Sequence, residues 1–318
     1  GCHAKKGQRF LSPQQSRLQR LVEKSTGLSV FQRNHFCYTE YMEEKEYKKK
    51  GVDEMIREYK VGRTPNPDVS CNRAVKFGAF YDWAMKNGAD FVSTGHYTRI
   101  EKNKLLAGSD NNKDQSYFLW QIRQEQLPHI IFPIGEMKKP EVRILAKKFG
   151  LVTAEKKDSQ GLCFIGKVDM KEFLAHYIKP KKGKIMNENG EVTGQHIGAA
   201  FYTIGERLLG GYVVAKDMRS NTIMVAEKTS AGAPPTVGRK VVLAQCNWLA
   251  ELKAGKRYAA RTRYRQPLQS CTVALRNDRS LMLNRRASVH FELPQTVAPG
   301  QSLVLYDEEV VLGGGVIV

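Results

Sequence analysis

Apolar residues in the first half of the chain fall mostly at helical spacing, and those of the second half fall in short strand-like runs. Leu18, Leu21 and Val22 mark one face of a predicted helix over 12–26, with Ser12 as N-cap, Pro13 at its first position and Gly27 at its end. A second predicted helix, Tyr41 to Lys60, is charged on most faces and offers Met55, Ile56 and Tyr59 for packing. Its Lys48-Lys49-Lys50 run reads as a solvated face. From Arg73 to Asn87, Val75, Phe77, Phe80, Trp83 and Ala84 again recur near the helical period. Short strands are predicted at Leu28–Phe31 and Phe91–Thr94. This alternation from Ser12 to Thr94 predicts an α/β fold on a doubly wound parallel sheet. Lys139 to Phe149 adds a basic amphipathic helix, opened by Pro140 and closed by Gly150.

Past Val168 the pattern changes. A short helix to Ile178 and the basic linker Lys179 to Lys184 lead into strand candidates at Ile185–Met186, Gly198–Thr203, Gly211–Ala215 and Thr222–Ala226. These describe a small mixed or β domain that ends near Pro234-Pro235. Beyond it, Val241–Ala244, Tyr258–Tyr264, Cys271–Leu275, Ala287–Leu293, Ser302–Tyr306 and Glu309–Leu312 repeat at a spacing that suits a barrel. The expected division is an α/β domain over 1–165, a small central domain over 166–236 and a β-barrel over 237–318.

Several stretches carry candidate chemistry. In Gly62 to Asn72 two prolines sit one residue apart, each fixing φ and removing a donor, so a stiff loop is expected to present Asn66, Asp68 and Cys71 together. Cys71 then falls just before or at a helix start, where the dipole favours a thiolate; a simply packed thiol is the other reading. Gly95-His96-Tyr97 follows the strand at 91–94, where open α/β sheets line their ligand crevice, although His96 reads equally as structural. The polar run Asp110 to Ser116 feeds an aromatic segment and is either a turn and cap or a set of groups held over an anion. Cys163 lies between Gly161 and Gly166, in a loop able to swing a thiol. On a strand over 258–264 and its continuation, Arg261, Arg263 and Arg265 would share one face and suit phosphates.

Charge narrows the choice of partner. Lys and Arg number 51 against 32 Asp and Glu, a net +19, which favours a polyanion, nucleic acid first and an anionic membrane second. No stretch resembles a membrane span or a secretory signal. The six cysteines (Cys2, Cys37, Cys71, Cys163, Cys246, Cys271) are scattered without metal-ligand spacing, so free thiols in a reducing cytoplasm are expected and no metal site.

Taken together, GRTPNPDVSCN, STGHYTRI, SDNNKDQSYFLW, KKDSQGLCFIG, TRYRQ and PGQSLVLY occur in the order and form that resemble the tRNA-specific 2-thiouridylases, which place sulfur on the wobble uridine of certain tRNAs. The resemblance runs from about Gly62 to the C-terminus. It implies an adenine-nucleotide α-hydrolase-like domain, a small central domain and a C-terminal barrel that binds tRNA. It implies Cys71 as the catalytic thiol, Cys163 as the persulfide carrier, and Asn66, Pro67 and Asp68 around the target base. It further implies Gly95 at ATP, and His96, Lys113, Asp114, Gln115, Arg263, Tyr264 and Gln301 at tRNA. ATP with Mg as counter-ion, a sulfur-relay donor protein and a cytoplasmic monomer with no membrane association complete the expectation. By that resemblance ATP adenylates the base carbonyl, the Cys163 persulfide delivers sulfur either directly or after reduction by Cys71, and a disulfide between the two thiols is left behind.

One family feature is missing from these residues. Members open with a strand and a Ser-Gly-Gly-x-Asp-Ser phosphate loop, whereas Gly108-Ser109-Asp110 and Gly313-Gly314-Gly315 do not lead from a strand into a helix. The expectation is therefore either a fragment or remnant that only binds tRNA, or an enzyme whose loop lies upstream of Gly1. Another adenylating enzyme of the same superfamily would fit the α/β half and leave Cys163 and TRYRQ unexplained.

Overall fold

In the computed structural model, residues 51–151, 154–155, 169–227, 238–275 and 286–318 are described. The elements expected at 12–26 and 28–31, the first half of the helix expected at 41–60, the linker at 231–237, and Cys2, Cys37 and Cys163 lie outside the described residues.

The N-terminal region begins with α1 (Asp53–Lys60), whose Met55, Ile56 and Tyr59 are buried as the periodicity requires. Next, α2 (Pro67–Cys71) runs without a break into a π-helix (Asn72–Phe80) and then α3 (Tyr81–Lys86). Here the expected loop is corrected. Pro67 occupies the first helical position, where a missing N–H costs nothing, and the Asn66 side chain caps the helix by accepting from Val69 N at 3.3 Å. Pro67 thus starts a helix, while Pro65 stays in the irregular segment that leads into it.

Strand β1 (Val92–Ser93) pairs in parallel with β4 (Ile130–Ile131), the parallel contact expected of an α/β sheet. Between them, β2 (Thr98–Glu101) and β3 (Lys104–Ala107) form a hairpin that the sequence reading did not anticipate. The basic helix α4 (Lys139–Lys148) is present as expected, with Pro140 in its first turn. Helix α5 (Met170–Ala175) is capped by Asp169 and opens the central domain.

Five strands form the central sheet: β5 (Gly183–Met186), β6 (Val192–His196), β7 (Arg207–Leu208), β8 (Gly211–Asp217) and β9 (Thr222–Ala226). Their order is β6-β5-β9-β8-β7. The strand expected at 198–203 is instead a 3-10 turn, Ala199–Phe201. Its three residues are all buried, so it plugs the sheet instead of extending it. Residues of α1 share a core with this domain: Met55, Ile56 and Tyr59 pack with Leu174, Ile185, Phe201 and Val213.

All six expected C-terminal strands are present as β10 (Gly238–Trp248), β11 (Tyr258–Arg261), β12 (Gln269–Leu275), β13 (Ala287–Gln295), β14 (Ser302–Asp307) and β15 (Val310–Ile317). They close through the pairing of β10 with β15. The β2–β3 hairpin then joins the outside of the barrel, Leu106 pairing with Val310. Strand β14 is consequently buried on both faces. Leu303 and Leu305 fill the barrel, while Val304 and Tyr306 pack with Phe77, Tyr117 and Trp120 of the N-terminal region. The glycine run of β15 serves the same packing, since a Cβ on Gly314 would lie 2.3 Å from Leu303 O and 3.3 Å from Trp120.

Candidate active site

Cys71 and Asn72 lie at the change from α2 into the π-helix, and both are buried. Cys71 ends α2 and is continuous with the next helix, so the expected position at a helix N-terminus is corrected. Its exposure is 4%. Asn72 donates through Nδ2 to Phe118 O at 3.1 Å, which ties the π-helix to the aromatic segment. Such widened turns are rare and are frequent at functional sites.

The residues that precede Cys71 are held from three directions. Gln301 Nε2 donates to Thr64 O at 2.9 Å and Pro65 O at 3.2 Å, and Thr64 N donates to Pro299 O at 2.8 Å. Gly300 adopts φ +93°, and a Cβ there would meet the Thr64 backbone at 2.8 Å, so only glycine permits this approach. From the central domain, Thr203 Oγ1 lies 3.2 Å from Thr64 Oγ1. From within, the buried Tyr117 hydroxyl donates to Ser302 O at 2.8 Å and lies beside the Asn66 side chain. Burial pushes the Tyr117 phenol well above its ordinary range, so it stays a donor.

The barrel contributes an aromatic edge. Tyr264 packs against Phe118 with ring centroids 4.6 Å apart, and the Arg265 guanidinium lies 5.1 Å from the Tyr264 ring centroid. Arg263 Nη2 donates to Ile204 O at 3.3 Å, across the junction with the central domain. The three-arginine strand face is corrected: β11 stops at Arg261, and Arg265 has φ +63°, so the alternation ends in a turn. Arg261 points inward to Asp114 and over the Tyr306 ring, whereas Arg263 and Arg265 stay near the surface.

Two residues expected at RNA have inward side chains. His96 is buried between Phe77 and Phe132, each 5.9 Å away by ring centroid. Lys76 Nζ lies 3.4 Å from Nε2, and an ammonium can only donate, so Nε2 accepts and Nδ1–H donates to Thr94 Oγ1 at 2.7 Å. Burial, and then the Lys76 charge, push its pKa down to about 3. The Asp114 carboxylate is 4% exposed and accepts from Gly108 N, Ser116 N and Ser116 Oγ, each at 3.0 Å. On either side of it, Lys113 and Gln115 are half-exposed. Gln115 is zipped to the chain at Tyr97, accepting from its N–H through Oε1 and donating from its own N–H to Tyr97 O, both at 2.9 Å.

Gly95 is exposed just past the carboxyl end of β1, with Ile134 Cδ1 at 3.9 Å as the nearest neighbour a Cβ would meet. These contacts link the 64–72 segment, Tyr117, Thr203, Arg263, Tyr264 and Gln301 where the three domains meet, while Gln115 is tied to Tyr97, two residues beyond Gly95. The sequence reading missed Tyr117, Thr203 and Gly300, whose partners all lie far away in the chain. Only the buried-aromatic character of Tyr117 was signalled. Among the described residues, no group of three His, Cys, Asp or Glu is arranged to hold a metal. No described helix is long and apolar enough to cross a membrane.

Residues 32–167 match the family described as tRNA methyl transferase HUP domain, and residues 171–227 match the tRNA methyl transferase PRC-barrel domain. Residues 238–317 match the aminomethyltransferase beta-barrel domain. The chain is 45% identical over 289 residues to the tRNA-specific 2-thiouridylase MnmA 2 of Geobacillus kaustophilus (strain HTA426), a match spanning 86% of this chain and 76% of that protein. It is 43% identical over 291 residues to the tRNA-specific 2-thiouridylase MnmA of Pseudomonas syringae pv. syringae (strain B728a), covering 86% and 75%. With the protein of that name from Streptococcus mutans serotype c (strain ATCC 700610 / UA159) it shares 42% identity over 294 residues, covering 86% and 76%.

Proposed function

The chain belongs to the tRNA-specific 2-thiouridylase family, and from that premise we propose that it is a tRNA-uridine 2-sulfurtransferase acting on the wobble uridine. The observation that carries the reading is the clamp on residues 64–72, which positions Asn66, Asp68 and Cys71 on one rigid turn between the barrel and the buried Tyr117. A base presented to that turn meets the half-exposed Asn66, Pro67 and Asp68 before Cys71. Tyr264, backed by Phe118, offers a ring for stacking against an unstacked neighbouring base. Lys113, Gln115, Arg263 and Gln301, partly exposed, act on the RNA backbone or base edges in this reading, with the net +19 supplying general attraction. His96 and Asp114 support this surface from behind.

Bound ATP, with Mg as its counter-ion, would supply the adenylyl group that makes the C2 oxygen a leaving group. Gly95 fits an approach of that kind, since it is exposed past a parallel strand and carries no Cβ. Sulfur comes from a persulfide on Cys163, loaded by a donor protein. Its outer sulfur bonds to C2 as the C2–O bond breaks. The Cys71 thiolate then attacks the Cys163 sulfur, releasing the thiocarbonyl and leaving a Cys71–Cys163 disulfide for later reduction. The two electrons of that disulfide balance the reduction of the outer persulfide sulfur.

Nucleoside analysis of tRNA from cells in which this gene is the sole source of the activity tests the proposal. The expected result is 2-thiouridine at the wobble position, lost with Cys71→Ser; an unmodified uridine would refute it. A tRNA-binding protein without sulfur chemistry would bind the same RNA and leave that uridine unchanged.

A further inference from the structure

We propose that Arg261 is a positioning residue for RNA recognition: from the outer face of barrel strand β11 it holds the buried Asp114 carboxylate, and thereby sets the flanking Lys113 and Gln115 at the surface. The inference deepens the functional reading above and rests on it.

Along residues 113–116 exposure alternates: Lys113 and Gln115 are half-exposed, while Asp114 and Ser116 are buried. The inner pair meets the barrel. Ser116 Oγ donates to Asp114 Oδ2 at 3.0 Å and lies 3.2 Å from the Tyr306 hydroxyl. Arg261 Nη1 lies 3.7 Å from Asp114 Oδ2, and its guanidinium sits 4.8 Å from the Tyr306 ring centroid. Side-chain exposure is 13% for Arg261 and 4% for Asp114, so both charges are largely out of water. Arg261 Nε, also buried, has no hydrogen-bond partner among the described residues.

A pair of this kind is a poor device for stability, because desolvating both ions offsets their attraction. It is a good device for geometry, since a cation in a fixed place defines where the carboxylate must lie. Asp114 in turn accepts from Gly108 N and Ser116 N, so its carboxylate organises the turn from both ends. The opposite edge is fixed by the two bonds between Gln115 and Tyr97. Lys113 and Gln115 therefore have little freedom left, and the barrel supplies the charge that places them.

The test is a binding cycle on the whole chain, with unmodified tRNA carrying a wobble uridine as the probe. Lys113→Gln and Arg261→Met should each weaken binding about tenfold, as loss of one well-placed contact does. Together they should weaken it little more than either alone, because Lys113 is already misplaced when Arg261 is gone. Arg261→Lys, which keeps the cation, should restore most of the affinity and with it the full effect of Lys113→Gln. If Arg261→Met does not fold by thermal melting, Ser116→Ala removes only the hydroxyl between Asp114 and Tyr306 and enters the same cycle. Multiplicative losses of about a hundredfold would overturn the inference, since they mean that Lys113 acts independently of the barrel charge. A wild-type chain that does not bind tRNA would overturn the functional reading and this inference with it.

Discussion

Gln301 Nε2 donates to the carbonyl oxygen of Thr64 at 2.9 Å across 237 positions of the chain. The C-terminal barrel therefore fixes the backbone that leads into the Asn66-capped helix and Cys71. Gln301→Leu keeps the bulk and leaves the Thr64 and Pro65 carbonyls without this donor. It should cost roughly 1–3 kcal/mol of stability and loosen residues 64–71. Thermal melting and hydrogen exchange of that segment measure the two effects; unchanged exchange there would refute the clamp.

Glycine in a helix is normally improved by alanine, by about 0.5–1 kcal/mol. Gly78 should behave in the opposite way. In the π-helix a Cβ at this position would lie 2.6 Å from Arg73 O, a backbone atom that cannot turn aside. Gly78→Ala is expected to destabilise by about 1–3 kcal/mol, as overpacking does. A denaturant melt showing a gain in stability would mean that the widened turn relaxes freely.

His96 links stability at the site to acid pH. Its ordinary pKa of 6.5 falls to about 3 in the folded protein, through burial first and Lys76 second. The unfolded chain thus takes up the proton first, so stability is fully present above about pH 6.5 and is lost as pH falls from there towards 3. Replacing the ring by His96→Phe should flatten this part of the stability–pH curve. Urea melts between pH 8 and pH 4 provide the comparison, and an unchanged slope would exclude His96 as its source.

The cysteines should separate by setting. Cys271 is 1% exposed, and burial, followed by the Glu292 charge, pushes its pKa up to about 12. It should resist alkylation in the native protein at pH 7–8 and react only on unfolding. Cys71→Ser and Cys163→Ser should each abolish sulfur transfer and change tRNA affinity by less than about twofold, since a thiol in covalent catalysis contributes little to backbone binding. Peptide mapping and thionucleoside analysis read the two outcomes. Transfer surviving either substitution would contradict the two-thiol mechanism.

Binding to tRNA should depend steeply on salt. If roughly four to six phosphates are neutralised, a rise from about 50 to 200 mM salt should weaken binding by about two to three decades. A flat response would show that the net +19 of the chain does not act through the RNA backbone.

Local pattern alone placed all six barrel strands, the helix at Lys139–Lys148 and the buried face of Asp53–Lys60. Alternation and the helical period depend on neighbours a few residues away, so they are legible in one dimension. The motif around Cys71 and its relation to a family were equally local. Tertiary structure decided the rest. Leu105 and Leu106 make a strand because β15 offers them an edge, and Val310 lies 204 positions beyond its partner Leu106. Arg261 turns inward because Asp114 and Tyr306 wait there, while Arg263 lies beyond the end of the strand and faces another domain. Pro65 and Pro67 could mark a stiff loop or a helix start; the Asn66 cap and the two Gln301 bonds select the second. In each case the deciding partner is remote, and its contribution exists only after the chain has brought the two surfaces together.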